Sequence, residues 1–296
     1  MSNTKLSRQL IRGSESFLPE NVAIIGNGAI RNGWDPVIET FTNYEWKSKD
    51  LQRNIFKYAN KSNGAHCLSI ISFLYRILRD GHFVNPSNDE ELTIKLLEEI
   101  SQFKKELCLS FQKMQKTNHI ALNSDLKKIT SYFNQYNAIL QTGFVTINWD
   151  ELIWEKENDL PNLIQLHGRV SIPESLIFPT ELCIDGKIIN LVLKKNLYEF
   201  NENTYEVLAR NGIYDELSLN HQTCLNWLEN AKRVVFWGIK FNEYDSELNS
   251  ILFSINWDKI EEITIIDKEY SARRDFLSNL LNLEEAKFRE IAPDSL

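Results

Sequence analysis

Three short clusters hold residue types that could do chemistry together. The first is His167-Gly168, which closes a short apolar run. A histidine there, with glycine leaving room beside it, can take up a proton near neutral pH and so act as a general base. The second is Thr146-Ile147-Asn148-Trp149-Asp150. Asn148 and Asp150 are alternate residues that would share one side of an extended chain. Asparagine both donates and accepts, which suits a sugar hydroxyl or a positioned water. The alternative is structural, with Asp150 capping a helix that begins at Glu151 and Asn148 satisfying loop backbone. The third is Gly26-Asn27-Gly28-Ala29-Ile30. Its glycines let the backbone approach a pyrophosphate, whose charge a following helix N-terminus would favour; a structural turn reads the same way. His66, His82, His119 and His221 are read as structural.

The elements that must position these clusters are short, β-rich and apolar. Val22–Gly26, Phe144–Asn148, Arg233–Gly238 and Ile263–Asp267 read as buried parallel strands, each ending where a loop should begin. Asn162–Leu166 is a fifth. Strands separated by helical stretches predict an α/β fold, a doubly wound Rossmann-like parallel sheet, with ligands gathered at the carboxyl ends of the strands. Between the first two strands the pattern is mainly helical, and a helical insert is expected over about 40–140. His66–Arg79 is apolar almost all round. Ser87-Asn88-Asp89-Glu90 has capping-box spacing. Leu92, Leu96, Ile100, Phe103, Leu107, Phe111 and Met114 then recur at helical intervals, and Asn123–Asn137 reads as a further helix. Residues 174–197 fit either a hairpin over the site or surface structure. The domain reading is an N-terminal arm over 1–20 and one domain over 21–296.

Composition narrows the class. The 296 residues can bury a full-sized core, and no apolar run approaches a membrane span or the core of a secretory signal. The net charge of −8, with an acidic excess over residues 241–296, opposes direct nucleic-acid binding. Cys67, Cys108, Cys183 and Cys224 are far apart and form no CxxC pair, which disfavours a structural zinc. They read as reduced core residues of a cytoplasmic protein with no metal.

Taken in order and spacing, Gly26–Gly28, Thr146–Asp150 and His167-Gly168 resemble the sirtuin family. That family runs from a Gly-Ala-Gly turn, through a Thr-x-Asn-x-Asp strand end, to a His-Gly about twenty residues on. Phe236-Trp237-Gly238, with Asp245 beyond, looks like its later Gly-rich NAD loop, and Ile265-Ile266-Asp267 is similar to its last strand. The resemblance covers roughly residues 20–35 and 140–270. It implies NAD as substrate, with Gly26, Asn27, Gly28 and Ala29 lining the pyrophosphate and Thr146 on the same strand end. Asn148 and Asp150 would hold the nicotinamide ribose, and His167 would activate a ribose hydroxyl or water. Gly238 and Asp267 would lie towards the adenosine.

The departures shape what is implied. The four-cysteine zinc module of the protein-deacetylating members is missing. Asn32-Gly33-Trp34-Asp35-Pro36-Val37 stands where they carry Pro-Asp-Phe-Arg, so Asp35 joins the expected cofactor-binding set. Ile30 and Ile147 replace a serine and a glutamine. The helical insert, the missing zinc and Trp149 look more like the sirtuin-like NAD-consuming proteins of bacterial antiphage defence. The implied function is NAD hydrolysis in an abortive-infection effector. A deacylase, an ADP-ribosyltransferase and a non-catalytic NAD-sensing module are the alternatives. The last expected strand lies close to the end of the sequence, so no separate sensor is expected. Activation would then come from assembly, as a homo-oligomer or with a HerA-type ATPase partner.

Overall fold

The computed structural model describes residues 17–47, 56, 58–72, 90–123, 133, 139–153, 160, 162–178, 213–241 and 245–291. In chain order its strands are β1 (Asn21–Ile25), β2 (Ile30–Arg31), β3 (Ala121–Leu122), β4 (Thr142–Thr146), β5 (Leu163–Gln165), β6 (Arg233–Trp237), β7 (Glu262–Ile266) and β8 (Phe288–Ile291). Its helices are α1 (Asp35–Asn43), α2 (Glu90–Lys116), α3 (Ile213–Asn230), α4 (Ser246–Ser254) and α5 (Tyr270–Leu281). Residues 64–72 are helical as well.

Six strands form one sheet in the order β5-β4-β1-β6-β7-β8, with every neighbouring pair parallel. Counted within this sheet alone the order is 3-2-1-4-5-6, the doubly wound Rossmann-like arrangement whose direction of winding reverses between β1 and β6. Apolar runs suit the central strands because both faces are covered. On β1, Val22 and Ile24 face a core shared with Cys224, Trp227 and Leu228 of α3, Leu248 and Leu252 of α4, and Leu277 of α5. Ala23 and Ile25 face the opposite core with Phe133, Phe144, Ile153 and Leu160.

Between β1 and β4 lie α1, the helical residues 64–72 and α2. They build a separate aromatic core around Phe41, Trp46, Phe56 and Phe103, with Trp46 stacked on Phe103 at 4.8 Å. Ile100, Phe103, Leu107, Phe111 and Met114 of the expected helical stripe are all buried there. The segment is not wholly helical, because β2 and β3 pair as an antiparallel ribbon. Asn123, expected to open a helix, instead closes that ribbon. Its amide donates to the Ala29 carbonyl (2.7 Å) and its side chain to Gly28 O (2.8 Å). The rest of the expected 123–137 helix apart from Phe133 lies outside the described residues, as do Ser87, Cys183 and residues 1–16. Pro173–Ser175 form one 3-10 turn, and residues 179–200 are again outside. Among the described residues no helix is long and apolar enough to cross a membrane.

Candidate active site at the strand ends

The sheet register lines up the candidate residues. Gln165, Thr146, Ile25, Trp237 and Ile266 form one row across five strands. One residue beyond that row come Gly26, Gly238 and Asp267; two beyond come Asn27, Asn148 and His167. The strands stop one or two residues earlier than the sequence suggests. The polar and glycine residues therefore occupy the loops at the carboxyl edge, where ligands of such sheets bind.

At the switch point the β1 and β6 loops pack main chain on main chain. Gly26 N donates to Trp237 O and Gly28 N to Gly238 O, both at 2.8 Å; Ala29 N donates to Gly26 O (3.1 Å) and Gly238 N to Ile266 O (3.0 Å). A Cβ on Gly28 would stand 2.7 Å from the Gly238 Cα. Gly238 adopts φ +63°, and a Cβ there would stand 2.4 Å from the Ala29 nitrogen. Both a left-handed backbone and a close approach therefore require glycine at 238. Asn27 turns its side-chain oxygen over Gly33, where a Cβ would come within 2.0 Å of it.

One strand over, the turn after β4 is held by all three cores. Ile147 packs into the α3–α4 core, Trp149 and Leu152 into the aromatic core, and Ile153 into the opposite sheet face. Trp149 also donates its indole N–H to Ile177 O at 3.2 Å. Asn148 between them is 4% exposed. Its backbone N–H donates to the Thr146 hydroxyl (3.1 Å), and its Nδ2 donates to Gly26 O (3.2 Å). Its Oδ1 is buried with no hydrogen-bond partner. Asp150, 2% exposed, accepts the Leu152 amide (3.1 Å) on Oδ1 within a turn.

His167 follows β5, and its ring reaches the loop after β6. Nε2 lies 3.7 Å from Asp245 Oδ1, beyond hydrogen-bond length, and that nitrogen is buried without a hydrogen-bond partner. Asp245 caps α4 by accepting the Leu248 amide. Gly168, at φ +77°, lets the chain turn away at once, since a Cβ there would collide with Ser175 O at 1.8 Å. Among the described residues, His167, Asp245 and the buried Glu247 bring ligand-type atoms within 4.8 Å of one another. That set is of the ligand types that hold a divalent cation.

Two expected residues sit apart from this group. Asp267 follows β7 and accepts the Glu269 amide, with Arg273 Nε 3.7 Å away. Asp35 opens α1 and pairs with Lys61 (2.7 Å) and His119 (2.8 Å). It faces an open cleft of about 580 Å³ that also contains Glu39 and Lys113. The charges of that cleft are already paired, Lys113 with Glu39 at 2.9 Å.

Asp245, Glu247, Gln165 and Asn220 join the neighbourhood without having been singled out as site residues. A carboxylate pair at Asp245-x-Glu247 and a lone glutamine in the apolar run NLIQL were the available signals. A scan against protein-family models and searches of curated proteins and of solved structures each gave no significant match to this chain.

Proposed function

We propose that the chain is an NAD hydrolase that works at the ends of β4 and β5. The observation that carries this reading is that Asn148 Oδ1 and His167 Nε2, on side chains that follow the neighbouring strands β4 and β5, are both buried without a hydrogen-bond partner. Buried acceptors without donors are costly, and a ligand hydroxyl supplies what is missing. A ribose diol fits Asn148, with the nicotinamide–ribose bond towards His167.

In the proposed reaction the bond between ribose C1′ and the nicotinamide nitrogen breaks, and nicotinamide leaves with the electron pair. A water oxygen bonds to C1′, and His167 Nε2 accepts the proton that water loses. The products are nicotinamide and ADP-ribose. Positive charge builds on the sugar during cleavage, as in glycoside hydrolysis. The fixed amide of Asn148 and the carboxylates of Asp150 and Asp245 favour that charge.

In the pyrophosphate mode expected from the glycine turn, backbone amides of Gly26, Gly28 and Ala29 would serve as donors. Each already donates within the protein. NAD binding in that mode therefore requires the β1 and β6 loops to part. This supports control by assembly, either of copies of this chain or with a HerA-type ATPase, in an antiphage effector that stays quiet until engaged. The test is free nicotinamide released from NAD by the purified protein, without an acylated peptide, alone and with candidate partner ATPases. Release without peptide is expected. Release only with an acylated peptide would make the chain a deacylase, and tight NAD binding with no turnover would make it a sensor.

A further inference from the structure

We infer that Gln165 is a positioning residue for Asn148, an inference that takes Asn148 as the ribose-holding residue of the reading above. Gln165 is the last residue of β5 and pairs in register with Thr146, yet its polar side chain is only 2% exposed. Its Nε2 donates to the Asn148 main-chain carbonyl at 2.5 Å. The Gln165 main-chain carbonyl accepts Asn220 Nδ2 from α3 at 2.9 Å, and Asn220 is equally buried. A chain of buried amides thus runs from α3 through β5 to the turn after β4.

At Asn148 the consequences meet. The backbone N–H is engaged by Thr146, the carbonyl by Gln165 and Nδ2 by the Gly26 carbonyl. With these three fixed, Oδ1 is the polar atom left over, and its direction is set. A donor is indispensable at position 165. Methionine has the length but no N–H, and an ionised glutamate would set a carboxylate against the Asn148 carbonyl. Displacement of a reacting group by about 1 Å costs up to about 100-fold in rate. A partial loosening of Asn148 should therefore cost about 10-fold in turnover with little change in affinity.

The experiment uses the full chain with whatever partner activates it. Gln165→Met is expected to lower kcat for nicotinamide release about 10-fold, with KM within about twofold. In an Asn148→Ala background it should cost nothing further, because the two residues act as one unit. Gln165→Glu tests the donor itself: its deficit relative to the wild-type protein should shrink as pH falls and the buried carboxyl gains a proton to donate. Side-chain amide resonances of Asn148, assigned by their loss in Asn148→Asp, should shift and exchange faster in Gln165→Met whether or not the protein cleaves NAD. Full kcat in Gln165→Met beside a crippled Asn148→Ala would overturn the inference, as would additive losses, a pH-independent Gln165→Glu deficit or unchanged Asn148 resonances. Full activity in Asn148→Ala would instead overturn the site assignment. Absence of nicotinamide release from the wild-type protein would overturn the hydrolase reading and leave the resonances to decide the role of Gln165.

Discussion

Two halves of the same sheet edge have opposite polar balances. At the β1–β6 crevice the amides of Gly26, Gly28, Ala29 and Gly238 are all spent on neighbouring carbonyls. At the β4–β5 ends, Asn148 Oδ1 and His167 Nε2 are buried with no hydrogen-bond partner. Those four amides are satisfied without a ligand, and these two side-chain atoms make no hydrogen bond. The glycines are thus explained by chain packing alone, whereas Asn148 Oδ1 makes no hydrogen bond in the described fold and His167 Nε2 faces only the Asp245 carboxylate at 3.7 Å. A glycine-rich turn at a switch point is weaker grounds for a ligand than an orphaned acceptor one strand away.

The contrast is broken most decisively by truncating the orphaned groups. Asn148→Ala and His167→Ala should each reduce nicotinamide release by roughly 100-fold or more, the scale for losing a positioned dipole or a general base. Thermal unfolding should fall only modestly, because Asn148→Ala removes the Nδ2–Gly26 O hydrogen bond, worth about 1 kcal/mol, and His167 Nε2 makes no hydrogen bond. Near-normal turnover in both folded variants would move the chemistry elsewhere.

The crevice should answer in the opposite currency, stability. Gly238→Ala places a Cβ 2.4 Å from a backbone nitrogen at φ +63°; outside the crevice, next to His167, Gly168→Ala places one 1.8 Å from a backbone oxygen at φ +77°. Backbone strain of this kind costs about 1–3 kcal/mol before the collision is counted. At roughly 2–4 °C per kcal/mol for a chain of this size, either variant should unfold several degrees earlier in a thermal melt. A Gly238→Ala protein that melts with the parent but binds NAD poorly would give the crevice a ligand role after all.

Much of this was legible in the residues. The apolar runs ending at Gly26, Asn148, Gly238 and Asp267 located four strands, and NLIQL a fifth, because buried parallel strands must be apolar on both faces. β8 was not legible: Phe-Arg-Glu-Ile lies at the sheet edge, half exposed, and its composition is that of any surface segment. The β2–β3 ribbon was hidden too, since two-residue strands 90 positions apart leave no periodicity to read. At the site, residue type made Asn148 and His167 candidates. The pairing of His167 with Asp245 depends on how far the β6–α4 loop reaches over the sheet, which no local pattern encodes. Asp35 was expected to bind cofactor from its place in the segment standing for Pro-Asp-Phe-Arg, and its pairing with Lys61 and His119, far along the chain, was not readable there.

The gentlest test concerns Asp35, which ties α1 to Lys61 and His119 away from the strand ends. Burial raises its carboxyl pKa, but the hydrogen bonds and charges of Lys61 and His119 outweigh that and hold it below its ordinary value of 3.8. A carboxyl with a depressed native pKa stabilises the fold fully above its unfolded value, and that contribution fades as pH falls through the native one. Asp35→Asn should therefore flatten the acid-unfolding curve below about pH 4. At neutral pH it should cost less than about 1 kcal/mol, since Lys61 and His119 are 63% and 48% exposed and solvent screens the pair. Salt at about 0.5 M, roughly three times the physiological ionic strength, should narrow even that difference. KM for NAD should stay within about twofold of the parent, the range of a change that touches no substrate-binding group. A tenfold rise in KM with kcat intact would mean, on the order of 1.4 kcal/mol, that substrate binding extends into the α1–α2 cleft. The contrast between the two halves of the sheet edge would then describe only part of the site.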